Sequence, residues 1–191
     1  MAYYERNLPH WHPEGKPLFL TWRLHGSLPV SLVKYLRQTS DFQSGKAFVR
    51  FDRRLDEAKC GPAWLKHPQI ARTVVDTIQF ANGSSMYVLH AFVIMPNHVH
   101  MLIDPKVDLS EITRAIKGRS ARICNQILGR SGQPFWQAES YDHWVRSPRS
   151  FEKIRLYIER NPVTAGLAEN PEVWRWSSAY KGAPSSMGFS S

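Results

Sequence analysis

Cysteine is scarce: the 191 residues hold two, Cys60 and Cys124, far apart and without C-x-x-C spacing. That excludes a disulfide scaffold and a thiolate zinc knuckle, and it suits a reducing compartment. Acidic residues are also few, 16 against 25 Lys and Arg, leaving a net charge of +9. A surplus of that size favours a polyanionic partner, nucleic acid ahead of an anionic membrane. Residues 77–103 contain no Lys, Arg, Asp or Glu. They still do not read as a membrane span, because Asn82-Gly83-Ser84-Ser85 and Pro96-Asn97 break the run and histidines lie inside it. The opening MAYYERNLPHWHPEG lacks the apolar stretch of a signal peptide. Repeats and low-complexity blocks are missing too. What is present, 42% hydrophobic residues and 21% charged, describes a soluble globular chain sized for one domain. Its seven Trp, seven Tyr and nine Phe are mostly core material, with some surface left for stacking on bases.

The pattern of apolar residues predicts strands interleaved with helices. Residues 1–16 read as an irregular arm, residues 18–24 as a strand, and residues 29–66 as an elaboration or insertion carrying a basic cluster at Arg50, Arg53 and Arg54. Ile70, Val74, Val75 and Ile78 recur at helical spacing from Pro68 to Phe80, with Asn82-Gly83 as the stop. Strands follow at 86–95 and 98–103, joined by the Pro96-Asn97 turn. Leu109, Ile112, Ile116, Ile123 and Ile127 mark a second helix ended by Gly129. Residues 141–146 form a short strand, and Ser147-Pro148 opens a third helix that Asn161-Pro162 should end near Arg160. The Gly- and Ser-rich stretch 183–191 reads as a disordered tail after a single domain over 1–182. Together these imply an α+β fold, one sheet with helices packed on it.

The chemistry concentrates in two segments. On a strand, His98 and His100 share a face while Val99 enters the core, so two imidazoles stand side by side as half of a divalent-metal site. H-x-H alone is weak, and hydrogen-bonded histidines are its commoner explanation. A binuclear zinc hydrolase would need Asp and His after it, where Met101, Leu102 and Ile103 stand. A histidine-triad enzyme would need His at position 102, and H-E-x-x-H is missing. Another residue must therefore attack. On a helix, Tyr157 and Asn161 lie four apart on one face. A phenol can attack phosphorus, and an amide oxygen can complete a His-His-amide shell. Spacing alone equally allows a packed tyrosine and a helix-stopping asparagine.

Residues 94–102 (IMPNHVHML), 141–146 (YDHWVR) and 157–167 (YIERNPVTAGL) together resemble the REP-associated tyrosine transposases. These are bacterial relatives of the single-tyrosine insertion-sequence transposases of the HUH nuclease superfamily. His10-Trp11, residues 19–24 and Trp174-x-Trp176-Ser177-Ser178 extend the resemblance over roughly residues 10–180. It implies a ferredoxin-like antiparallel sheet with the HUH pair, His98 and His100, on a central strand and Tyr157 on a facing helix. It further implies Tyr157 as nucleophile, with His98, His100 and Asn161 holding Mg²⁺ or Mn²⁺ to polarise phosphate and stabilise the departing 3′ oxyanion. The implied reaction is cleavage and joining of single-stranded DNA through a 5′-phosphotyrosine, on a hairpin-forming repeat, in DNA transposition. Such a protein would work as monomer or homodimer in the cytoplasm, on the nucleoid when bound to DNA. Arg114, Lys117, Arg119 and Arg122 on the second helix are the DNA-binding candidates, or else a solvated face. His143, Trp174 and Trp176 read as structural. A non-catalytic repeat DNA- or RNA-binding protein and a water-using metal-dependent phosphodiesterase remain open alternatives.

Overall fold

The computed structural model describes residues 16–29, 52–57 and 61–182. The expectations for residues 1–15, for residues 30–51 and 58–60 including Arg50, and for the tail at 183–191 lie outside the described residues. Four antiparallel strands, β1 (Leu18–Arg23), β2 (Tyr87–Ile94), β3 (His98–Pro105) and β4 (Tyr141–Trp144), form one sheet in the order β2-β3-β1-β4. Helix α1 (Pro68–Gly83) connects β1 to β2, and α2 (Leu109–Ile127) connects β3 to β4. This is the β-α-β-β-α-β, ferredoxin-like order, with the HUH strand β3 in the interior of the sheet. Helix α3 (Pro148–Thr164) follows β4.

Strand alternation divides the interior into two cores. Leu18, Leu20 and Trp22 of β1 and Val99, Met101 and Ile103 of β3 face Ile70, Val74 and Ile78 of α1 and Ile112 and Ile116 of α2. The other face of the same strands carries Phe19 and Leu102, which pack with Ala91, Val93 and Ile158 of α3. Helices α1 and α2 thus cover one face of the sheet and α3 the opposite one. Every residue of β1 and residues 98–103 of β3 are buried, as expected for strands paired on both edges and covered on both faces. The outer edge of β2 is covered by residues near the C-terminal end of the described chain. Ile94 N–H donates to Trp176 O at 2.8 Å, and Ser178 N–H donates to Phe92 O at 3.0 Å. Trp174 Nε1 donates to Ile94 O at 3.1 Å, and both tryptophans pack against the cores. They behave as the packing residues expected, and they spare the sheet an open edge.

Two helix ends differ from expectation. Helix α1 includes Gly83, one turn beyond Phe80. Helix α3 does not stop at Asn161-Pro162 but continues to Thr164. Ser147 Oγ accepts from Ser150 N–H at its start. A proline inside a helix forfeits one backbone bond and crowds the preceding turn, but Pro162 is buried against neighbours. The last turn is then closed by Leu167 N–H on Pro162 O at 2.8 Å and Gly166 N–H on Val163 O at 3.0 Å. Gly166 takes φ +69°, the left-handed conformation that this ending requires. Asn161 is consequently a helical residue, held on the face of Tyr157. Because Ile158 is fully buried between α3 and the sheet, Ile158→Ala should cost about 2–5 kcal/mol. Urea unfolding should show that loss as a lower midpoint with an unchanged slope; an unchanged midpoint would mean α3 is not anchored here.

Candidate active site

The α3-facing side of the sheet carries an unusual load of polar groups for a buried layer. His98 and His100 are fully buried, and Thr21, directly opposite His100 on β1, is buried as well. His98 Nδ1 lies 2.7 Å from Asn97 Oδ1. Asn97 is oriented by its own amide, whose Nδ2 donates to Leu55 O at 2.8 Å. A carbonyl-type oxygen only accepts, so Nδ1 of His98 carries the proton and Nε2 presents a lone pair. His100 Nδ1 meets Thr21 Oγ1 at 2.7 Å, a hydroxyl able to accept that proton in the same way. The two Nε2 atoms stand 3.1 Å apart. Burial pushes His98 down to about 3 against the opposing pull of the Asp52 charge, so its ring is neutral at ordinary pH.

From α3, Tyr157 and Asn161 reach the same spot. The Tyr157 ring stands edge-on to His100 and to Phe19, with centroids 5.8 and 6.3 Å away, and Phe19 stacks on His100 at 5.6 Å. Asn161 is buried, with Nδ2 3.4 Å from His100 Nε2 and its Oδ1 without a hydrogen-bond partner. The four residues singled out as nucleophile and ligands are therefore neighbours in space.

At their centre is a residue that sequence reading passed over. Asp52 lies in a short helical stretch, residues 52–56, and is buried to 1% exposure. Its Oδ1 is 3.2 Å from His100 Nε2 and 3.4 Å from His98 Nε2. Its Oδ2 accepts hydrogen bonds from the Tyr157 hydroxyl and, at 3.1 Å, from Asn161 Nδ2. Burial alone would raise its pKa. The neighbouring imidazoles of His100 and His98 and the Tyr157 hydroxyl outweigh that and hold the carboxyl well below the usual range. One turn on, Asp56 Oδ1 is 4.0 Å from His98 Nε2; burial, then the Asp52 charge, raises Asp56 to about 7. Tyr157 is pushed far above the ordinary phenol range by burial first and the Asp52 charge second. The visible signal was the Asp-x-x-x-Asp spacing of positions 52 and 56, which a helical turn brings to one face, inside a segment notable at first sight only for its arginines.

Buried nitrogen and oxygen acceptors converge here: Asp52, His98 and His100 form a group that could hold a metal ion. With Asn161 Oδ1 and Asp52 Oδ1 both lacking donors, the donor set suits a divalent cation bound by imidazole and oxygen. The basic candidates on α2 lie elsewhere. Helix α2 packs on the opposite face of the sheet, where Arg114, Arg119 and Arg122 are exposed. Arg119 sits 4.6 Å over the Phe80 ring. Lys117 Nζ donates to the carbonyls of Gln137 and Ala138 at 2.7 and 2.9 Å, so it ties down the segment before β4. The bonds through Asn97 yield a test. Asn97→Ala strips the partners from His98 Nδ1 and Leu55 O, which should cost about 1–3 kcal/mol. Imidazole ¹⁵N shifts should then show His98 losing its single tautomer; one preserved tautomer would mean that Asn97 does not set it.

No helix among the described residues is long and apolar enough to cross a membrane. No curated protein matches the chain. Among solved structures it is similar to a REP-associated tyrosine transposase bound to a REP hairpin, at 18% identity and a TM-score of 0.53, covering 93% of this chain and 82% of that one. It also aligns with a protein of Deinococcus radiodurans R1 named as a candidate transposase, at 17% identity and a TM-score of 0.42, over 83% of this chain and 97% of that one. The first likeness bears out the ferredoxin-like architecture. Residues 63–161, just over half of the sequence and spanning β3, β4 and most of α3, match the family described as IS200-like transposases, so the chain belongs to that family.

Proposed function

We propose that this transposase-family protein is a metal-dependent single-stranded DNA transesterase that cuts and rejoins repetitive, hairpin-forming DNA through Tyr157. The observation that carries the reading is one carboxylate touched from two sides, by the Tyr157 hydroxyl and by the paired Nε2 atoms of His98 and His100. A nucleophile and a cation-holding pair thereby share a single pocket. The hairpin bound by the solved REP-associated relative supports the same class of substrate here.

His98, His100 and Asn161 would hold Mg²⁺ or Mn²⁺, which would polarise the scissile phosphate and stabilise the departing oxyanion. The remaining work belongs to side chains. Asn97 fixes the His98 ring with its Nε2 lone pair turned inward, and Thr21 holds the His100 ring through Nδ1. Phe19 and His100 limit the swing of the Tyr157 ring. The phenol oxygen forms the new bond to phosphorus as the bond from phosphorus to the 3′ oxygen breaks. The phenol gives up its proton, and the departing 3′ oxygen ends protonated. The number of phosphoester bonds is unchanged, so a 3′-OH can reverse the step without ATP. A neutral, buried phenol is a weak nucleophile, which is why activity should depend on the cation.

Labelled hairpin-bearing single-stranded DNA incubated with Mn²⁺ and run on a denaturing gel tests the reading. Wild type should give a covalent protein–DNA band, and Tyr157→Phe should give none while keeping its fold and DNA binding. Asn161→Ala should form the same adduct more slowly and need more metal. Free product without an adduct would select the water-using phosphodiesterase, and no reaction would select the binding protein. The DNA path has its own test. Lys153 and Arg160 are exposed on α3, four residues before Tyr157 and three after it, whereas α2 lies across the sheet. Lys153→Ala and Arg160→Ala should each lower the salt slope of DNA binding by about 1. A flat response there, with losses in Arg114→Ala and Arg122→Ala, would move the scissile strand to the α2 face.

A further inference from the structure

We infer that Asp52 is the anionic ligand of the cation in the DNA-free protein, bonding through Oδ1 while Oδ2 keeps the Tyr157 hydroxyl beside the site. This rests on the metal-dependent reading above and adds a ligand outside the segment that matches the family, residues 63–161.

Three observations carry it. The first is spacing. Asp52 Oδ1 and the two Nε2 atoms are separated by 3.1, 3.2 and 3.4 Å. Ligands about 2.1 Å from one ion are roughly 3.0 Å apart at right angles and roughly 3.4 Å apart at the tetrahedral angle. The second is polarity. His98 Nε2 and Asp52 Oδ1 are both acceptors, and Asp52 Oδ1 has no hydrogen-bond donor although Asp52 is only 1% exposed. Acceptors crowded together away from water repel one another unless a positive charge lies between them. The third is charge. His98, His100 and Asn161 are uncharged donors when they bind metal, and a buried dication among neutral groups alone is poorly compensated. Among the described residues, Asp52 is the carboxylate that touches both imidazoles.

The backbone explains how a distant segment delivers this ligand. Asn97 Nδ2 donates to Leu55 O, and Leu55 is itself buried. The turn that orients His98 thus also anchors the helical stretch bearing Asp52. Tyr157 and Asn161 hold Oδ2 from the other side, which leaves Oδ1 turned to the histidines.

Mn²⁺ binding to the DNA-free protein, followed by the EPR signal of free Mn²⁺, tests the assignment without catalysis. Asp52→Asn keeps size and hydrogen bonding but removes the charge, so it should weaken Mn²⁺ affinity at least about tenfold. Its melting temperature in EDTA should stay near that of wild type. Asp76→Asn, which alters an exposed carboxylate paired with Arg72 on α1, should bind Mn²⁺ as wild type does. An Asp52→Asn affinity equal to wild type overturns the assignment, as does an equal loss in Asp76→Asn. Wild-type affinity in His98→Ala and His100→Ala would instead sink the metal reading itself. A measurement on the unaltered sequence guards against a misfolded variant. With ¹³C-carboxyl aspartate incorporated, bound Mn²⁺ should show a ¹³C hyperfine coupling from a directly bonded carboxylate, and its absence contradicts the proposal.

Discussion

Three buried nitrogen and oxygen atoms, on His98, His100 and Asp52, face one another at 3.1–3.4 Å, and much of the fold is arranged to keep them there. Left alone, such a cluster would open towards water or collect protons. Strand β3, paired on both edges, cannot turn its histidines outward without expelling Val99, Met101 and Ile103 from the core beneath α1 and α2. Thr21 and Asn97 occupy the outer ring nitrogens, and α3 closes the layer above. A positive charge at the centre turns this repulsion into attraction. The cost of assembling the cluster is met by the two apolar cores on either side of the sheet.

The same division explains why one sheet can serve two purposes. The α1/α2 face is almost purely apolar, with Tyr87 as a polar exception whose hydroxyl donates to Ile78 O at 2.7 Å. The α3 face mixes Phe19, Leu102 and Ile158 with Thr21, His98, His100 and Asn161. Stability and chemistry are thus segregated by the two-residue period of the strands. Basic residues follow no such division: those of α2 decorate the stable face, and Lys153 and Arg160 flank the chemical one.

Much of this was legible in the sequence because it follows from local periodicity. The order of strands and helices, the shared face of His98 and His100, and the four-residue spacing of Tyr157 and Asn161 all come from short-range pattern. The motifs led to the transposase family, which the match over residues 63–161 bears out. What escaped depended on distant contacts. The continuation of α3 through Pro162 needs the burial of that proline and the Gly166 ending, neither of which outweighs a proline by inspection. Asp52 is 46 residues before His98 and sits among arginines, so its one local mark, the spacing to Asp56, says nothing of the histidines it meets. Lys117, a DNA-binding candidate on α2, also donates to carbonyls of the segment preceding β4, a pairing no helical wheel reveals.

The proposed function turns on a cation between His98 and His100. Crystals grown or soaked with Mn²⁺ and measured at the manganese absorption edge test it directly. An anomalous peak is expected within bonding distance of both Nε2 atoms, on the α3 side of the sheet. A peak confined to other carboxylates, with the two imidazoles bonded to each other through a proton, would contradict it.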